Sequence, residues 1–415
     1  MTLKILALLL GSCTPLCAQK SMSLKECEQV FRSNNLQLLA EQYNISQADA
    51  DIIQAKIWDL PEISFTGNAY NPDDKKTFDV LHSKDVEIQQ LFVLGGKRKK
   101  EVDFAKTNKE LAKLQYNQLA VDLLSQLKET YYSLYYDGRK LLRIDNQLSF
   151  LNDLLQAYKI QTSKGNISLK DEVRLQTLIL SLNKDRIEIT NSILASQNSL
   201  KILTGINEEI IPEWSVSEAK EVLENAPLIS LEDLQKKAEE NNADYQFALK
   251  TIESNKAYHT WQKSFNTPDL TAGLQYSQSG GAFKNELNFT LGIPIPLWKQ
   301  NKGNVQKAQY ITEQSQKNAE FKKNELYNQV NLAYQTWENQ YTQFRNINQT
   351  DLDNLESVYK GMQDNFRKGN VSLIEFTDFS DSYNESVLQM NEMKKQIMIS
   401  AEEINRLTQT QIFKS

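Results

Sequence analysis

The chain has 415 residues, 40% of them hydrophobic, with only 14 glycines and 8 prolines, a formal net charge of −6 and a pI near 5.4. This is the composition of long, solvated helices rather than of one thick globular core, in a chain long enough for two or three domains. Its only block of positive charge is Lys97-Arg98-Lys99-Lys100, which leaves nucleic-acid binding without an electrostatic footprint.

Residues 1–18 read as an export signal: Lys4 precedes the apolar run Ile5 to Leu10, small residues follow, and Leu16-Cys17-Ala18 before Gln19 suits signal-peptidase cleavage. Leu10-Gly11-Ser12-Cys13 also fits a bacterial lipoprotein box, in which Cys13 would be acylated. Cys27 is the one cysteine certain to remain after processing, so no internal disulfide is expected. No later segment has 18 consecutive apolar residues, so a membrane-spanning form would have to be a closed β-barrel.

The rest of the chain reads as one unit written twice. Ser23-Leu24 opens a segment ending in Asn34-Asn35, and Ser230-Leu231 opens one ending in Asn241-Asn242. Pro61-Glu62-Ile63 returns as Pro268-Asp269-Leu270, Val102-x-x-Ala105 as Val305-x-x-Ala308, and Leu200-x-x-Leu203-Thr204 as Ile404-x-x-Leu407-Thr408. A period of about 200 residues is far longer than that of a solenoid repeat and indicates duplication of a domain-sized unit. The expected organisation is a first repeat over 19–206, a linker over 207–229 containing Pro212 and Pro227, and a second repeat over 230–415.

Each repeat carries two candidate strands, at about 62–70 and 84–94 and at about 269–278 and 284–295. Ile63 and Phe65 alternate with Ser64 and Thr66; Leu270, Ala272, Leu274 and Tyr276 alternate with Thr271, Gly273, Gln275 and Ser277; Leu287, Phe289 and Leu291 alternate with Asn288 and Thr290. Val86 to Val93 alternates less cleanly. Period-two alternation gives one apolar and one polar face, and about ten residues is the length of a membrane-spanning β-strand. Asn71-Pro72-Asp73-Asp74 and Ser279-Gly280-Gly281 supply the loops. Four strands cannot close a membrane barrel, whereas strands from three copies would number twelve.

Long helices follow each pair of strands. There is no proline between Lys97 and Ile211 or between Leu297 and Ser415, and proline is what breaks helix interiors. Apolar stripes such as Leu111, Leu114, Val121 and Leu124 recur at three- and four-residue spacing and predict coiled-coil-like packing. The phrase Lys164-Gly165-Asn166-Ile167-Ser168-Leu169 returns as Lys368-Gly369-Asn370-Val371-Ser372-Leu373. Its lysine suits the end of a helix, its glycine the left-handed position beyond it, and its serine the N-cap of the next. Asp171 and Glu375 stand where a capping box needs its acid. Both phrases therefore predict tight turns between antiparallel helices, the return helices running from about Ser168 to Leu203 and from Ser372 to Thr410.

This order of elements resembles the TolC-type outer-membrane efflux proteins of Gram-negative bacteria, from about Ser23 to Ile412. Leu91-Phe92-x-x-Gly95-Gly96-Lys97-Arg98 looks like the family's first strand-to-helix junction. Ile293-Pro294-Ile295-Pro296-Leu297-Trp298 before Gly303-Asn304-Val305 looks like its partner, Leu203-Thr204-Gly205 like the end of the first repeat, and Gly369-x-x-Ser372 leading to Glu375 and Asp378 like the second helical tip. The resemblance implies a mainly α fold with a small β part, trimerising into a 12-strand β-barrel on an α-helical barrel. It further implies a location in the outer membrane with a large periplasmic extension. The implied partners are outer-membrane lipid, a periplasmic adaptor (membrane fusion) protein and an inner-membrane RND- or ABC-type pump. The loops near Asp73 and Gly280 would face outside, with both termini and the linker around the tunnel's equator.

Site assignments follow from the same resemblance. Glu375 and Asp378 match acidic residues that ring the periplasmic entrance; Glu375 also suits a plain capping role, and Asp378 a solvated helix face. The first repeat has Asp171 and Arg174 at the matching positions, so an Arg174–Asp378 pair would be a new element. Val371 stands where some members carry a basic latch, which departs from that pattern. Lys164, Gly165, Asn166 and Ser168, with Lys368, Gly369, Asn370 and Ser372, are candidates for adaptor docking. Tyr131, Tyr132, Tyr135 and Tyr136 suit inter-helix packing. The sequence shows no catalytic constellation, no phosphate loop and no cofactor motif, and its two histidines, His82 and His259, stand in unrelated contexts that do not suggest a metal site. The alternative reading is a secreted coiled-coil scaffold or adaptor. The exported cargo is left open.

Overall fold

The computed structural model describes residues 19–414 except 74, 82, 216–218, 220, 222, 224–226, 228, 280–282, 296, 298–300 and 348. The expected signal segment with Cys13, together with Asp74, His82, Gly280, Gly281, Pro296 and Trp298, lies outside the described residues. In chain order the elements are β1 (Gln19–Met22), α1 (Leu24–Asn34), α2 (Leu36–Lys56), β2 (Glu62–Gly67), β3 (Tyr70–Asn71), β4 (Lys76–Thr77), β5 (Ser83–Phe92), α3 (Lys97–Ser163), α4 (Leu169–Thr204) and β6 (Glu209–Pro212). The second half contributes α5 (Leu231–Asn241), α6 (Ala243–Ser264), β7 (Leu270–Ser279), β8 (Phe283–Gly292), α7 (Lys302–Asn346), α8 (Gln349–Arg367) and α9 (Leu373–Thr408). The chain divides into two compact units: Met1–Leu39 with Leu119–Asn242 and Leu326–Ser415, and Ala40–Gln118 with Ala243–Glu325.

α3 is continuous over 67 residues, about 100 Å at 1.5 Å per residue. Its counterpart in the second half is equally free of proline but is divided into α7 and α8. Ile347 N–H donates to Phe344 O at 3.2 Å, an i−3 bond that tightens and ends the last turn of α7. Absence of proline permits a long helix without enforcing one.

In the first unit the duplication is visible in detail. Asn35 and Asn242 each end a short helix in extended backbone. Each is buried, and each donates a side-chain N–H at 3.0 Å to the last turn of a long return helix, Asn35 to Leu203 O and Asn242 to Leu407 O. These bonds satisfy helix-terminal carbonyls that would otherwise be orphaned. The tyrosine cluster of α3 closes over Trp214 of the linker, with ring centroids 5.5, 5.0 and 6.3 Å from Tyr132, Tyr135 and Tyr136. Tyr131 donates to Met22 O at 3.1 Å, and β1 pairs in parallel with β6. The tyrosines thus fasten the linker and the β1 segment to α3.

Two buried charge networks set the register of the long helices. Asp137 of α3, nearly fully buried, accepts from Lys140 Nζ at 3.1 Å and from Ser192 Oγ of α4 at 2.6 Å. Lys140 also meets Glu392 of α9 at 2.5 Å, and Lys395 meets Glu392 at 2.7 Å. Burial alone would raise the Glu392 carboxyl; hydrogen bonds from Lys140, Lys395 and Gln396 outweigh it and hold the group at about 2. Further along α3, Lys128 lies 3.0 Å from Glu402 of α9 and 3.5 Å from Glu28 of α1. Sliding α9 by one turn would strand these charges without partners. Asp137→Ala is expected to destabilise this unit by about 3–5 kcal/mol, because it leaves Lys140 buried beside a void where a carboxylate was. Thermal melting of the helical signal in detergent measures it, with exposed Asp153→Ala as the near-neutral control.

Candidate functional site

In the second unit, β2, β5, β7 and β8 form one antiparallel sheet in that order. The strands end close to the expected limits, though β2 stops at Gly67 and β8 at Gly292. The register sorts the side chains cleanly. Ile63, Ile88, Leu274 and Phe289 form one cross-strand row, and Phe65, Val86, Tyr276 and Leu287 the next. On the opposite face the rows are Ser64, Glu87, Gln275 and Asn288, then Thr66, Asp85, Ser277 and Glu286. The weaker alternation of Val86 to Val93 is therefore resolved by its neighbours. Ile63, Phe65, Leu287 and Phe289 are largely exposed, so the apolar face has little cover from the described residues. On the polar face, Gly273 lets its neighbours meet over it: a Cβ there would lie 2.6 Å from Thr290 Oγ1, and that hydroxyl donates to Glu87 Oε1 at 3.3 Å.

The basic run at the strand-to-helix junction is structural. Lys97 is buried, with Nζ 2.6 Å from Asp269 Oδ1, which also accepts from Leu94 N–H at 2.9 Å. Arg98 reaches Asp59 at 3.3 Å and lies 4.1 Å over the Trp58 ring. Lys100 donates to Gly95 O at 2.9 Å. Three of its four cations thus join the start of α3 to the segment before each sheet hairpin or to the turn itself.

In the first unit, both Lys-Gly-Asn phrases form the turns between long antiparallel helices. Gly165 and Gly369 have φ of +76° and +77°, the left-handed region that only glycine occupies without strain. Lys164 and Lys368 stand one residue beyond α3 and α8 rather than within their last turns. Asn166 and Asn370 N–H close back onto Gln161 O and Asn365 O at 3.0 and 2.9 Å.

The two turns differ at the next step, and there the sequence expectation needs correcting. Ser372 forms a complete capping box: its hydroxyl accepts from Glu375 N–H at 3.3 Å, and the Glu375 carboxylate accepts from Ser372 N–H at 3.0 Å and from its hydroxyl at 2.8 Å. Ser168 has N-cap backbone geometry but no side-chain cap bond. Asp171 is one methylene shorter than glutamate and does not reach back. The same contrast separates Ser23 with Glu26, a full box, from Ser230 with Asp233, where the serine accepts Asp233 N–H but no return bond to the Ser230 backbone completes the box.

Asp378 is engaged as well. Arg174 Nη2 lies 3.1 Å from its Oδ1, and Arg174 Nε donates to Thr377 Oγ1 at 3.1 Å. The packing beneath these groups joins both halves of the chain: Ile144, Leu148, Leu151, Leu175, Leu178 and Leu182 with Phe366, Leu373 and Phe376. The Phe366 and Phe376 rings stack at 4.6 Å, and Tyr359 on Tyr383 at 4.2 Å. Asp381, close by, is raised by burial and by Asp378, with Arg174 opposing. The sequence did not single out Asn35, Asn242 or Asp269 for a role; their recurrence at the repeat spacing was the available signal. His259 lies on α6, and among the described residues no group of three or more His, Cys, Asp or Glu is placed to hold a metal.

Comparison with known proteins fits this geometry. The family model for outer membrane efflux proteins matches residues 29–206 and 234–409. The cobalt-zinc-cadmium resistance protein CzcC of Cupriavidus metallidurans is 22% identical over 372 residues, covering 86% of this chain and 82% of that protein. Among solved structures, CusC, a former of transmembrane channels, superposes with a TM-score of 0.74 at 16% identity over 93% of this chain and 92% of its own. The CmeC outer membrane channel of Campylobacter jejuni gives 0.73 at 14% identity over 93% and 85%. The chain belongs to the outer membrane efflux protein family: it is an outer-membrane efflux channel protein, and the alternative of a secreted scaffold falls away.

The two tips are expected to respond differently to acid and to sequence change. The Ser372 backbone N–H, then its hydroxyl, holds the Glu375 carboxyl below the usual carboxylate range. A depressed pKa in the folded state means stabilisation that is complete above the ordinary glutamate range and lost as pH falls through the depressed value. Exchange of the first-turn amides of α9 should therefore accelerate on acidification beyond the intrinsic rate change. Asp171→Glu should complete the missing box and slow exchange of the first turn of α4 severalfold at neutral pH. Amide hydrogen exchange read by mass spectrometry checks both.

Proposed function

We propose that three copies of this chain close one outer-membrane barrel and serve as the exit duct for an inner-membrane RND- or ABC-type pump, reached through a periplasmic adaptor. The observation that carries the reading is the sheet: four strands, an apolar face, a polar face, and two edges, β2 and β8, which among the described residues have no strand partner beside them. Because neighbouring strands are all antiparallel, β8 of one copy and β2 of the next run antiparallel too, and three sheets close without a seam of different kind. A single chain purified in detergent should run at three times its monomer mass; a stable monomer would overturn the reading.

The second tip is the proposed entrance, with Glu375 and Asp378 from each copy ringing it, and the turns at Lys164, Gly165, Asn166 and Ser168 and at Lys368, Gly369, Asn370 and Ser372 are the proposed adaptor contacts. Replacing both acids should widen the aperture and weaken cation block. Glu375→Gln with Asp378→Asn removes charge while glutamine keeps the capping bond; Glu375→Ala with Asp378→Ala removes both. Higher single-channel conductance in planar bilayers is expected from either pair, and unchanged conductance would sink the assignment. Thiol crosslinking from Asn166→Cys and Asn370→Cys tests the docking, with no adaptor adduct from either site counting against it. For N-terminal processing we propose cleavage after Ala18, with acylation at Cys13 as the other outcome; the intact mass of the mature protein separates them.

For cargo we propose divalent metal cations. The name of the relative CzcC refers to cobalt, zinc and cadmium, and the rows of the polar sheet face include Asp85, Glu87 and Glu286 without a lysine or arginine beside them. Cells lacking this chain are expected to lose resistance to metal salts by at least severalfold while tolerance of dyes and antibiotics is little changed. The opposite pattern would transfer the cargo to organic compounds.

A further inference from the structure

The helices of the first unit do not close on one another everywhere. Between the start of α1, α3, α7, α9 and the C-terminal segment lies a cavity of about 540 Å³, within the size range of pockets that take small organic molecules. Its walls are withdrawn from solvent: Tyr131, Tyr132, Trp337, Ile397, Met398 and Phe413 are each at most 6% exposed. Protein interiors are packed like organic crystals, with few voids larger than a water molecule. Water stays in such a void only where it finds two or more polar partners, and rings and aliphatic chains offer it few. Left unfilled, the space forfeits the dispersion contacts of every side chain around it. An apolar occupant suits it.

The internal duplication shows how the space arises. In the first repeat, Gln197 of α4 holds the segment that follows its helix. Its side chain accepts from Ile210 N–H at 3.0 Å and donates to Ile210 O at 2.7 Å. At the repeat spacing of 204, set by Lys164/Lys368 and Leu200/Ile404, Gln197 corresponds to Ala401 of α9. Ala401 lies in the cavity wall, and alanine has no amide with which to hold anything. The segment after α9 is held one turn further on, by Asn405. That side chain accepts from Ile412 and Phe413 N–H at 2.8 and 2.9 Å and donates to Phe413 O at 3.0 Å. Moving the clamp keeps the segment in place but leaves the volume of a glutamine side chain vacant at Ala401. Phe413, so fixed, lies against Trp337 with ring centroids 4.7 Å apart, and Trp337 stacks on Tyr341 at 5.0 Å. The rings are thus held rigidly around the space, with Met398 as its one flexible, polarisable wall.

The opening of the cavity carries both signs of charge. Lys25, Glu213, Glu221 and Lys414 line it and are exposed, two ammonium groups and two carboxylates. A head group of one sign would meet repulsion there as well as attraction, whereas a head with both charges finds an opposite for each. We infer that this cavity is a lipid site. It takes the single apolar tail of a zwitterionic amphiphile of the lysophospholipid kind, the phosphate toward the lysines and the ammonium toward the glutamates. Every lining residue belongs to one chain, so the site does not rest on the proposed ring of copies. A tail in this position touches α1, α3, the linker at Trp214, α7 and α9 together, and so fastens the linker and the C-terminal segment to both repeats.

The test uses the full chain in liposomes with phospholipid in large excess. A lysophosphocholine with a diazirine at the end of its acyl chain is added and photolysed, and the labelled peptides are mapped by mass spectrometry. Labels are expected in two places: the apolar face of the sheet, which bulk lipid reaches, and the cavity walls on α3, α7 and α9. Unlabelled lysophosphocholine, in excess over the probe but small beside the bulk phospholipid, should lower the cavity label severalfold and leave the sheet label unchanged. Ala401→Trp, which refills the vacant volume, should do the same with helical circular dichroism retained. A fatty acid with the same diazirine, carrying only a negative head, should label the cavity several times more weakly. Sheet label without cavity label overturns the site, and so does a cavity label that the competitor does not lower, a readout that needs no variant. A folded Ala401→Trp chain that labels as the unmodified one does overturns it as well. Equal labelling by the fatty acid overturns the zwitterionic head.

Discussion

The constraint on which everything else depends is the unsatisfied edge of a β-sheet in hydrocarbon. Each unpaired N–H or C=O in a bilayer costs several kcal/mol because no water is present to bond it. One chain of this protein supplies four strands with β2 and β8 at the margins, too few to bend back on themselves. A four-stranded sheet in a membrane leaves two margins unsatisfied, which the proposed ring of three copies would close. The same incompleteness appears in the helices, where one return helix is covered by its neighbour repeat and the other is left with an apolar line in solvent. Strands and helices each support the proposed assembly of several copies.

Duplication explains how one sequence pattern makes both the covered and the uncovered surface. Features that serve a repeat by itself are kept in both copies: Asn35 and Asn242 bond the same carbonyl position, and Gly165 and Gly369 adopt the same left-handed turn. Features that depend on what lies next to a repeat have diverged. Apolar Val173, Leu180, Ile187 and Leu194 answer polar or flexible Thr377, Asn384, Asn391 and Met398, and Arg174 answers Asp378. The last substitution turned two equivalent positions into an ion pair, which two identical repeats could not have formed.

Much of this was legible in the sequence because periodicity is a local signal. The alternation of β7 and β8, the continuous helix from Lys97 to Ser163 and the glycine turns all follow from residue spacing and backbone preference. What was not legible depended on lengths and neighbours. Asp171 and Glu375 look interchangeable as capping partners, yet only glutamate spans the distance back to the serine N–H. The break after Asn346 has no proline or glycine to announce it. The basic run at Lys97 stands out in the sequence only as a block of charge; that Asp269, far along the chain, meets it is a property of the fold. The tip acids Glu375 and Asp378 were visible by position, but their engagement with Ser372 and Arg174 is a property of three dimensions.

That engagement bears on where the molecule can yield. The Arg174–Asp378 pair has its side chains 36% and 66% exposed, and an ion pair so hydrated contributes at most about 1 kcal/mol. Asp137 with Lys140, and Lys128 with Glu402, are largely withdrawn from water, and separating one of them costs about 3–5 kcal/mol. The polar contacts at the tips therefore resist displacement less than those along the helices, and what holds the start of α9 is the burial of Leu373 and Phe376. An entrance at the second tip would open by local splaying, with register held by the buried networks further up α3. Closing it again would re-form the surface pair and the helix cap and rebury Leu373 and Phe376 at the start of α9.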